Sequence, residues 1–144
     1  MARWSVEQYA DYLGGKTKHK YGAKPQKKDG KYFASKAEKF RWDELELLEK
    51  AGAISNLQFQ PTFILTKAKI KYRADYEYDQ EGEHIVEDIK GVWTSRFRMI
   101  AALWKYYGPC RLRVTKRKGN HTIIFKEIMP VALDIQHIGA ILLV

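Results

Sequence analysis

The segments Tyr72-Arg-Ala-Asp-Tyr-Glu-Tyr78 and His84-Ile-Val-Glu-Asp-Ile-Lys-Gly91 decide the fold of this chain. Both contain the β-branched and aromatic residues that are typical of strands. The polar residues between them, Asp79-Gln-Glu-Gly-Glu83, include Gly82, which suits a tight turn. The pattern therefore predicts a β-hairpin.

Alternation along the second strand places particular side chains together. Successive side chains of a strand point to opposite faces, so His84, Val86, Asp88 and Lys90 share one face. Ile85, Glu87 and Ile89 share the other. We expect Asp75 to meet Asp88 and Lys90 across the hairpin, on the face opposite Tyr72, Ala74, Tyr76 and Tyr78.

Two carboxylates and one lysine converging on a sheet suit a divalent metal. Mg²⁺ is commonly held by one or two carboxylates, while water and substrate phosphate supply its other ligands. Asp75 and Asp88 could supply those carboxylates, and Lys90 would add a positive charge. Without a wider pattern, a surface hairpin with solvated acids and a lysine explains the three residues about equally well.

A wider ordered pattern surrounds the hairpin. It consists of Asp29-Gly30, Phe33-Ala-Ser35-Lys-x-Glu38, Gln60-Pro61, Ala74-Asp75, Glu87-Asp88-Ile-Lys90-Gly91 and Thr94 before Phe97-Arg98. This pattern resembles the PD-(D/E)XK nuclease superfamily, and within it a family of small, mostly phage-encoded endonucleases similar to resolvases of four-way DNA junctions. The resemblance covers roughly residues 20 to 128. Ala74 departs from it, since the superfamily has proline there.

The resemblance implies a restriction-endonuclease-like fold and metal-assisted hydrolysis of phosphodiester bonds. Asp75, Asp88 and the Ile89 carbonyl would bind Mg²⁺ or Mn²⁺, and Lys90 would position or help to deprotonate the attacking water. Glu38 would bind a second metal or a metal-bound water. Its spacing from Ser35 also matches a helix capping box, so a purely structural role for Glu38 stays open.

Length and composition limit the class of protein. A chain of 144 residues with a net charge of +9 is predicted to be a single domain with a polyanionic partner, most simply DNA. The single Cys110 excludes an internal disulfide and indicates a reducing compartment. The first residues lack an apolar signal core. We therefore expect a cytoplasmic protein, in the host cytoplasm if phage-encoded, without a membrane partner.

Basic residues concentrate in three places. Residues 16–31 are rich in lysine and lack an apolar period, which predicts a mobile arm, either a phosphate-binding strap or a solvated linker. A second concentration follows Lys90-Gly91, and a third lies at the tip of the hairpin expected near residues 116–120. The candidate DNA-binding residues are Lys16, Lys18, Lys20, Lys24, Lys27, Lys28, Arg96, Arg98, Lys116, Arg117 and Lys118.

The remaining elements complete an α/β domain with a mixed central sheet flanked by helices. One helix runs from Ser35 to about Lys50, and its predicted inward residues are Ala37, Phe40, Leu45 and Leu48. A strand interrupted at Pro61 follows. A second helix spans residues 95–107 after an N-cap at Thr94, and its predicted buried stripe is Phe97, Ile100, Ala101 and Trp104.

The last part of the sequence is a second hairpin and an apolar tail. The hairpin is expected over residues 110–128, with a turn at residues 116–120. Residues 130–144 are almost wholly apolar and are predicted to be covered by the core or by a second subunit. The resemblance to junction resolvases implies an endonuclease that prefers branched DNA, and the apolar tail offers a contact for the homodimer that such an enzyme forms. The alternatives are a general endonuclease or nickase, and a non-catalytic nucleic-acid-binding module.

Overall fold

The computed structural model of the protein describes residues 25–133. The chain divides into two compact units, Met1–Lys36 and Ala37–Val144. The predicted lysines 16, 18, 20 and 24 and most of the apolar tail, residues 134–144, lie outside the described residues.

The described part of the first unit is a short hairpin. Strands β1 (Gln26–Lys28) and β2 (Lys31–Phe33) pair antiparallel, with Lys28 opposite Lys31. Asp29 and Gly30 both adopt positive φ angles, 51° and 74°, as a two-residue turn requires. The Asp29-Gly30 turn therefore closes a hairpin within the predicted arm, despite the surrounding charge, and the mobility of the arm stays a prediction.

The second unit alternates strands with two longer helices. Helix α1 begins at the boundary between the units and spans Lys36–Lys50. The helix α2 spans Ser95–Tyr107. The strands are β3 (Ser55–Phe59), β4 (Thr62–Ile64), β5 (Lys71–Arg73), β6 (Tyr76–Gln80), β7 (Glu83–Ile89), β8 (Arg111–Lys118) and β9 (His121–Ile128).

Five of these strands form a mixed central sheet in the order β3-β6-β7-β8-β9. β7 and β8 are parallel and are connected through α2, whereas the other neighbours are antiparallel. A parallel pair needs such a crossover connection, which a helix provides. β4 and β5 form a separate two-stranded sheet. The predicted α/β class with a mixed sheet and flanking helices is confirmed.

The hairpin that organises the sequence forms as predicted over β6 and β7. Gln80 pairs with Glu83, so the loop contains only Glu81 and Gly82. Their φ angles are 52° and 76°, the combination that matches the twist of a two-residue hairpin. Glu81 is the less suitable of the two residues, because a side chain disfavours positive φ.

The first strand of that hairpin is not continuous. The amide of Ala74 donates to the Pro61 carbonyl at 3.0 Å, while the Gln60 amide donates to the Asp75 carbonyl at 2.8 Å. The chain thus leaves one sheet and enters another at Ala74-Asp75. The prediction that Tyr72, Ala74, Tyr76 and Tyr78 share a face was wrong, because this break reverses the alternation. Tyr72 and Ala74 pack in the core around α2. On the opposite side of the sheet, Tyr76 contacts α1 and Tyr78 donates to Glu87.

Helix α2 supplies the main hydrophobic core. Thr94 caps it by accepting a hydrogen bond from the Phe97 amide at 3.1 Å, and its buried residues are the predicted Phe97, Ile100, Ala101 and Trp104. The fully buried Trp104 ring meets Phe63 and Tyr72 edge-on, with centroids 5.0 Å and 5.9 Å away. The small sheet therefore packs against α2 through Phe63 and Tyr72, in the same core as Val86, Leu112 and Val114.

Helix α1 packs on the opposite face of the sheet with a different stripe from the predicted one. Leu45 is buried as expected, but Phe40 is 44% exposed, and Trp42 is buried against Phe59 and Tyr76. The prediction for Phe40 was wrong because Arg41 turns toward the sheet to reach Glu87. A helical face that includes a charged residue cannot be recognised from apolar spacing alone.

The first strand of the second hairpin is longer than predicted. β8 continues through Lys118, which pairs with His121, so only Gly119 and Asn120 form the turn. The predicted turn at residues 116–120 was therefore too long. The register also shifts between Val114 and Thr115, which pair with Lys126 and Ile124. No helix within residues 25–133 combines the length and apolar character needed to cross a membrane.

The end of α2 yields a test of core packing. A Cβ added at Gly108 would lie 2.5 Å from Nε1 of Trp104, although the φ angle of −67° suits any residue. We expect Gly108→Ala to lower the free energy of unfolding by about 1–3 kcal/mol, the usual cost of overpacking. Gly91→Ala is the control, since nothing lies within 4 Å of its Cβ position. Equal midpoints in urea for the two variants would contradict the close packing of Trp104.

Candidate functional site

Asp75 and Asp88 meet where the hairpin strands reach the α2 face of the sheet. Asp75 immediately precedes β6, and Asp88 is the next-to-last residue of β7. Tyr76 pairs with Glu87, so Asp75 and Asp88 are the next residues on the two antiparallel strands. Asp88 is 1% exposed, whereas Asp75 is half-buried. The structure therefore brings together the two predicted acids.

The Asp88 carboxylate has two different oxygens. The Tyr72 hydroxyl donates to Oδ2, which orients the group. Oδ1 lies 2.9 Å from Nζ of Lys90 as an ion pair, but it receives no hydrogen bond of good geometry from the part of the chain described. A buried carboxylate oxygen ordinarily has a donor. Oδ1 is consequently the oxygen with capacity for a further ligand.

The Asp75 carboxylate lies beside the same strand. The amide of Ile89 donates to its Oδ2 at 2.8 Å, so Asp75 contacts the residue whose carbonyl is a predicted metal ligand. Burial raises the pKa of Asp75 well above its usual range, and repulsion from Asp88 and Glu38 raises it further. A nearby cation would relieve this repulsion.

Lys90 completes the group from the residue after β7. Burial lowers the pKa of its ammonium, but the carboxylates of Asp88 and Asp75 outweigh that effect, and the pKa is raised. The ammonium also lies 4.8 Å from the centre of the Phe97 ring. Lys90 is therefore held in its charged form next to both acids.

Glu38 lies in the first turn of α1 and influences the same group of residues. Its charge contributes to the raised pKa values of Asp75 and Tyr76 and supports the charged form of Lys90. Tyr76 anchors this turn by donating its hydroxyl hydrogen to the Glu38 carbonyl. The helix thus places a third carboxylate close enough to influence the pair electrostatically, and its alternative role as a cap stays open.

A buried ion pair that the sequence analysis missed lies directly behind the site. The Glu87 carboxylate is fully buried and accepts from Nε and Nη2 of Arg41 at 2.6 Å and 2.8 Å. The hydroxyls of Tyr78 and Thr115 also donate to it, at 2.6 Å and 3.1 Å. The sequence did contain a signal for this pair, because Glu87 lies between Ile85 and Ile89 on one face of β7. A glutamate at such a buried position requires a cationic partner.

The ligands available to a metal match an open site rather than a closed one. Within residues 25–133, no group of three or more His, Cys, Asp and Glu side chains is placed to hold a metal ion. Oδ1 of Asp88, which lacks a hydrogen bond of good geometry, and the mutual repulsion of the two acids nevertheless fit a hard cation. Mg²⁺ often takes only one or two protein carboxylates. The residues present therefore fit a magnesium-type site.

Two clefts with basic linings adjoin Lys90. One, of about 450 Å³, is lined by Lys90, Arg98 and Lys116 among others. The other, of about 490 Å³, is lined by Lys90, Arg96 and Lys71 among others. Nη2 of Arg96 donates to the Lys71 carbonyl at 3.2 Å, which holds its side chain beside that cleft. Three of the predicted DNA-binding residues are thus near the acids.

Other predicted DNA-binding residues lie elsewhere. Arg117 is on the α1 side of the sheet, where Nη1 donates to Glu44 at 2.7 Å and the guanidinium lies 4.7 Å from the Phe40 ring centre. Lys118 ends β8 and is exposed. Lys27 and Lys28 belong to β1 in the first unit. The structure does not bring Arg117 to the face that carries Asp88.

Comparison with known proteins identifies a family. Residues 18–119 match the family described as protein of unknown function (DUF1064). The chain belongs to this family. The matched range of the DUF1064 family includes Glu38, Asp75, Asp88 and Lys90. No curated protein matches the chain, and no solved structure matches it.

The acid pair can be tested through stability. The pKa of Asp75 is higher in the folded protein than in the unfolded chain, where it is about 4. Ionisation of Asp75 therefore lowers the free energy of unfolding as the pH rises above that value. Asp75→Asn should therefore raise the free energy of unfolding at pH 7, because it removes the cost of ionising Asp75 in the folded protein. The gain should shrink toward pH 4. Thermal unfolding across this range measures it.

Asp79→Asn is the matched control for this experiment. Hydrogen bonds from Asn56 and His84 lower the pKa of Asp79, so removing its charge should not stabilise the fold. If Asp75→Asn is instead less stable than wild type at pH 7 and 8, the two acids do not repel each other in the folded protein.

Proposed function

We propose that this protein is a metal-dependent endodeoxyribonuclease with a restriction-endonuclease-like fold. The observation that carries the proposal is the meeting of Asp75, Asp88 and Lys90 at the end of β7, with Nζ of Lys90 2.9 Å from Oδ1 of Asp88. These residues lie beside two clefts with basic linings, as a polyanionic substrate requires. The order of residues also matches the resemblance to PD-(D/E)XK nucleases.

Each residue would have a distinct task in phosphodiester hydrolysis. Asp75 and Asp88 would hold Mg²⁺ or Mn²⁺, which when bound supplies Lewis-acid activation of the phosphate and of the attacking water. Tyr72 would keep Oδ2 of Asp88 occupied, so that Oδ1 is directed to the site. Lys90 would orient the attacking water and offset negative charge on the phosphorus. Glu38 would bind a further metal or its water.

A non-catalytic DNA-binding module is the second candidate. It is favoured by the ion pair that joins Lys90 to Asp88 and by the lack of a third metal-ligating side chain in the acid group of residues 25–133. Such a module would use the basic clefts alone. The presence of both acids is the argument for catalysis, because carboxylates beside phosphate-binding clefts weaken binding unless a metal is present.

The first test is cleavage of supercoiled plasmid DNA. Wild type should nick or linearise it with Mg²⁺ or Mn²⁺, and Asp88→Asn should lower the rate by about a hundredfold or more, as loss of a catalytic group usually does. DNA binding by Asp88→Asn should persist or tighten, because a negative charge is removed. Calorimetric titration with Mn²⁺ should also show weaker binding by this variant.

Asp79→Asn provides the matched control, since Asp79 is an aspartate of the same hairpin whose side chain pairs with Asn56 and His84. It should cleave plasmid at the wild-type rate. A wild-type rate in Asp88→Asn would rule out the assigned site. DNA binding without cleavage by wild type would instead identify the binding module.

We further propose that the nuclease is a homodimer acting on branched DNA in phage DNA processing. The apolar sequence of residues 130–144 favours burial against a second copy, and two-fold pairing suits symmetric cleavage of a four-way junction. Light scattering should give twice the chain mass. Competition at constant salt should favour a four-way junction over a linear duplex of equal length. A monomer that cuts both equally would be a general endonuclease.

A further inference from the structure

A cleft with two aromatic walls lies next to Lys90, and we name it the Trp93–Phe125 cleft. It occupies about 450 Å³ and is lined by Lys90, Trp93, Arg98, Lys116, Phe125 and Lys126 together with Gly91. The Trp93 and Phe125 ring centres are 6.3 Å apart, and Trp93 also meets Phe97 at 4.9 Å. The aromatic surface is thus continuous with the ring beneath the Lys90 ammonium.

The β-bulge in β9 creates this cleft. Val114 pairs with Lys126 and Thr115 pairs with Ile124, so Phe125 has no partner on β8. A bulge lets neighbouring side chains escape strict alternation and frequently re-aims one of them. Here Lys126 and Phe125 both line the cleft instead of pointing to opposite faces. Phe125 is consequently 55% exposed although its ring contacts Trp93.

Three cations of the cleft, Lys116, Lys126 and Arg98, have no acidic partner among residues 25–133. Lys116 and Lys126 contact aromatic rings, with Nζ 5.7 Å from the Phe125 centre and 5.5 Å from the Trp93 centre. Arg98 is exposed, and no carboxylate among residues 25–133 pairs with it or with these two lysines. No acidic side chain lines the cleft within that range. Its chemistry therefore complements a ligand with both negative charge and a flat ring.

We propose that the Trp93–Phe125 cleft binds an unpaired nucleotide of a DNA strand. Its base would stack on Phe125, and its phosphates would bind Lys116, Lys126 and Arg98. Single strands are held by this combination of aromatic platforms and cations, whereas the bases of a duplex already stack on each other. The inference rests on the proposed nuclease function for its location, since Lys90 would then belong to both the cleft and the reacting centre.

The position of the cleft makes it a determinant of substrate structure. A phosphate near Asp88 and Lys90 would have its neighbouring nucleotide within reach of Trp93 and Phe125, because Lys90 lines the same space. A substrate that offers an unpaired nucleotide there gains a stacking contact that a continuous duplex lacks. The cleft thus selects strands that are unpaired beside the cleaved bond.

The test is a binding measurement in EDTA, which separates it from cleavage. Fluorescence anisotropy would compare three labelled DNAs of equal length, namely oligothymidine, an abasic strand and a duplex. Wild type should prefer oligothymidine to the abasic strand. Phe125→Ala should weaken oligothymidine binding about tenfold, the usual effect of losing one stacking contact, and leave the abasic strand unchanged. Phe125→Trp, which keeps an aromatic ring at this position, should bind oligothymidine as tightly as wild type does.

Phe40→Ala is the matched control. Phe40 is also a half-exposed phenylalanine with a cation over its ring, but it lies on the α1 side of the sheet with Arg117. It should bind all three DNAs as wild type does. Equal losses in Phe40→Ala and Phe125→Ala, or equal affinity of wild type for the oligothymidine and abasic strands, would overturn the proposal.

The binding result and the cleavage result are separable. If Asp88→Asn abolishes plasmid cleavage but wild type binds oligothymidine and the abasic strand equally, the nuclease is supported and the base-binding cleft is refuted. If wild type instead prefers oligothymidine to the abasic strand through Phe125 but does not cleave plasmid, the cleft is established and the nuclease is refuted.

Lys126→Gln should weaken binding of all three DNAs and reduce the slope of the dependence of affinity on salt by about one unit. An unchanged slope would remove Lys126 from the site.

Discussion

Burial of two consecutive carboxylates in β7 is the constraint on which the rest of the structure depends. Glu87 and Asp88 are both almost completely buried and point to opposite faces of the central sheet. An uncompensated buried charge costs several kcal/mol, so each face must supply partners. On the α1 face, Arg41, Tyr78 and Thr115 satisfy Glu87 fully. This interaction explains why α1 packs with a charged residue toward the sheet.

The α2 face of the sheet compensates the buried charge of Asp88 only in part. Tyr72 and Lys90 contact its two oxygens, yet Oδ1 lacks a hydrogen bond of good geometry, and Asp75 adds a second negative charge nearby. Such an arrangement is costly for a protein that uses it only for stability. It is consistent with the proposed binding of a cation and a phosphate. The fully satisfied Glu87 provides a rigid support for that less stable group.

Two irregularities of the backbone position the surroundings of the acids. The break at Ala74-Asp75 transfers the chain between sheets, so that Tyr72 and Asp75 both reach Asp88 although regular alternation would separate them. The bulge at Phe125 similarly brings Phe125 and Lys126 to one cleft. Regular strands would have placed one member of each pair on the far side of the sheet. The site therefore depends on interruptions of secondary structure as much as on the strands themselves.

Local patterns in the sequence determined the α/β class, the hairpin around Gly82, the Thr94 cap and the buried stripe of α2, because each depends on neighbouring residues. Alternation also placed Asp88 and Lys90 together, and the resemblance proposed Glu38 as a further candidate. Only the tertiary structure decided the Arg41–Glu87 pair, whose members are 46 residues apart, and the reversal of faces at Ala74-Asp75. The exposure of Phe40 and the meeting of Trp93 with Phe125 also depend on it. These features arise from contacts between distant segments, and periodicity within one segment carries no information about the partner that another segment provides.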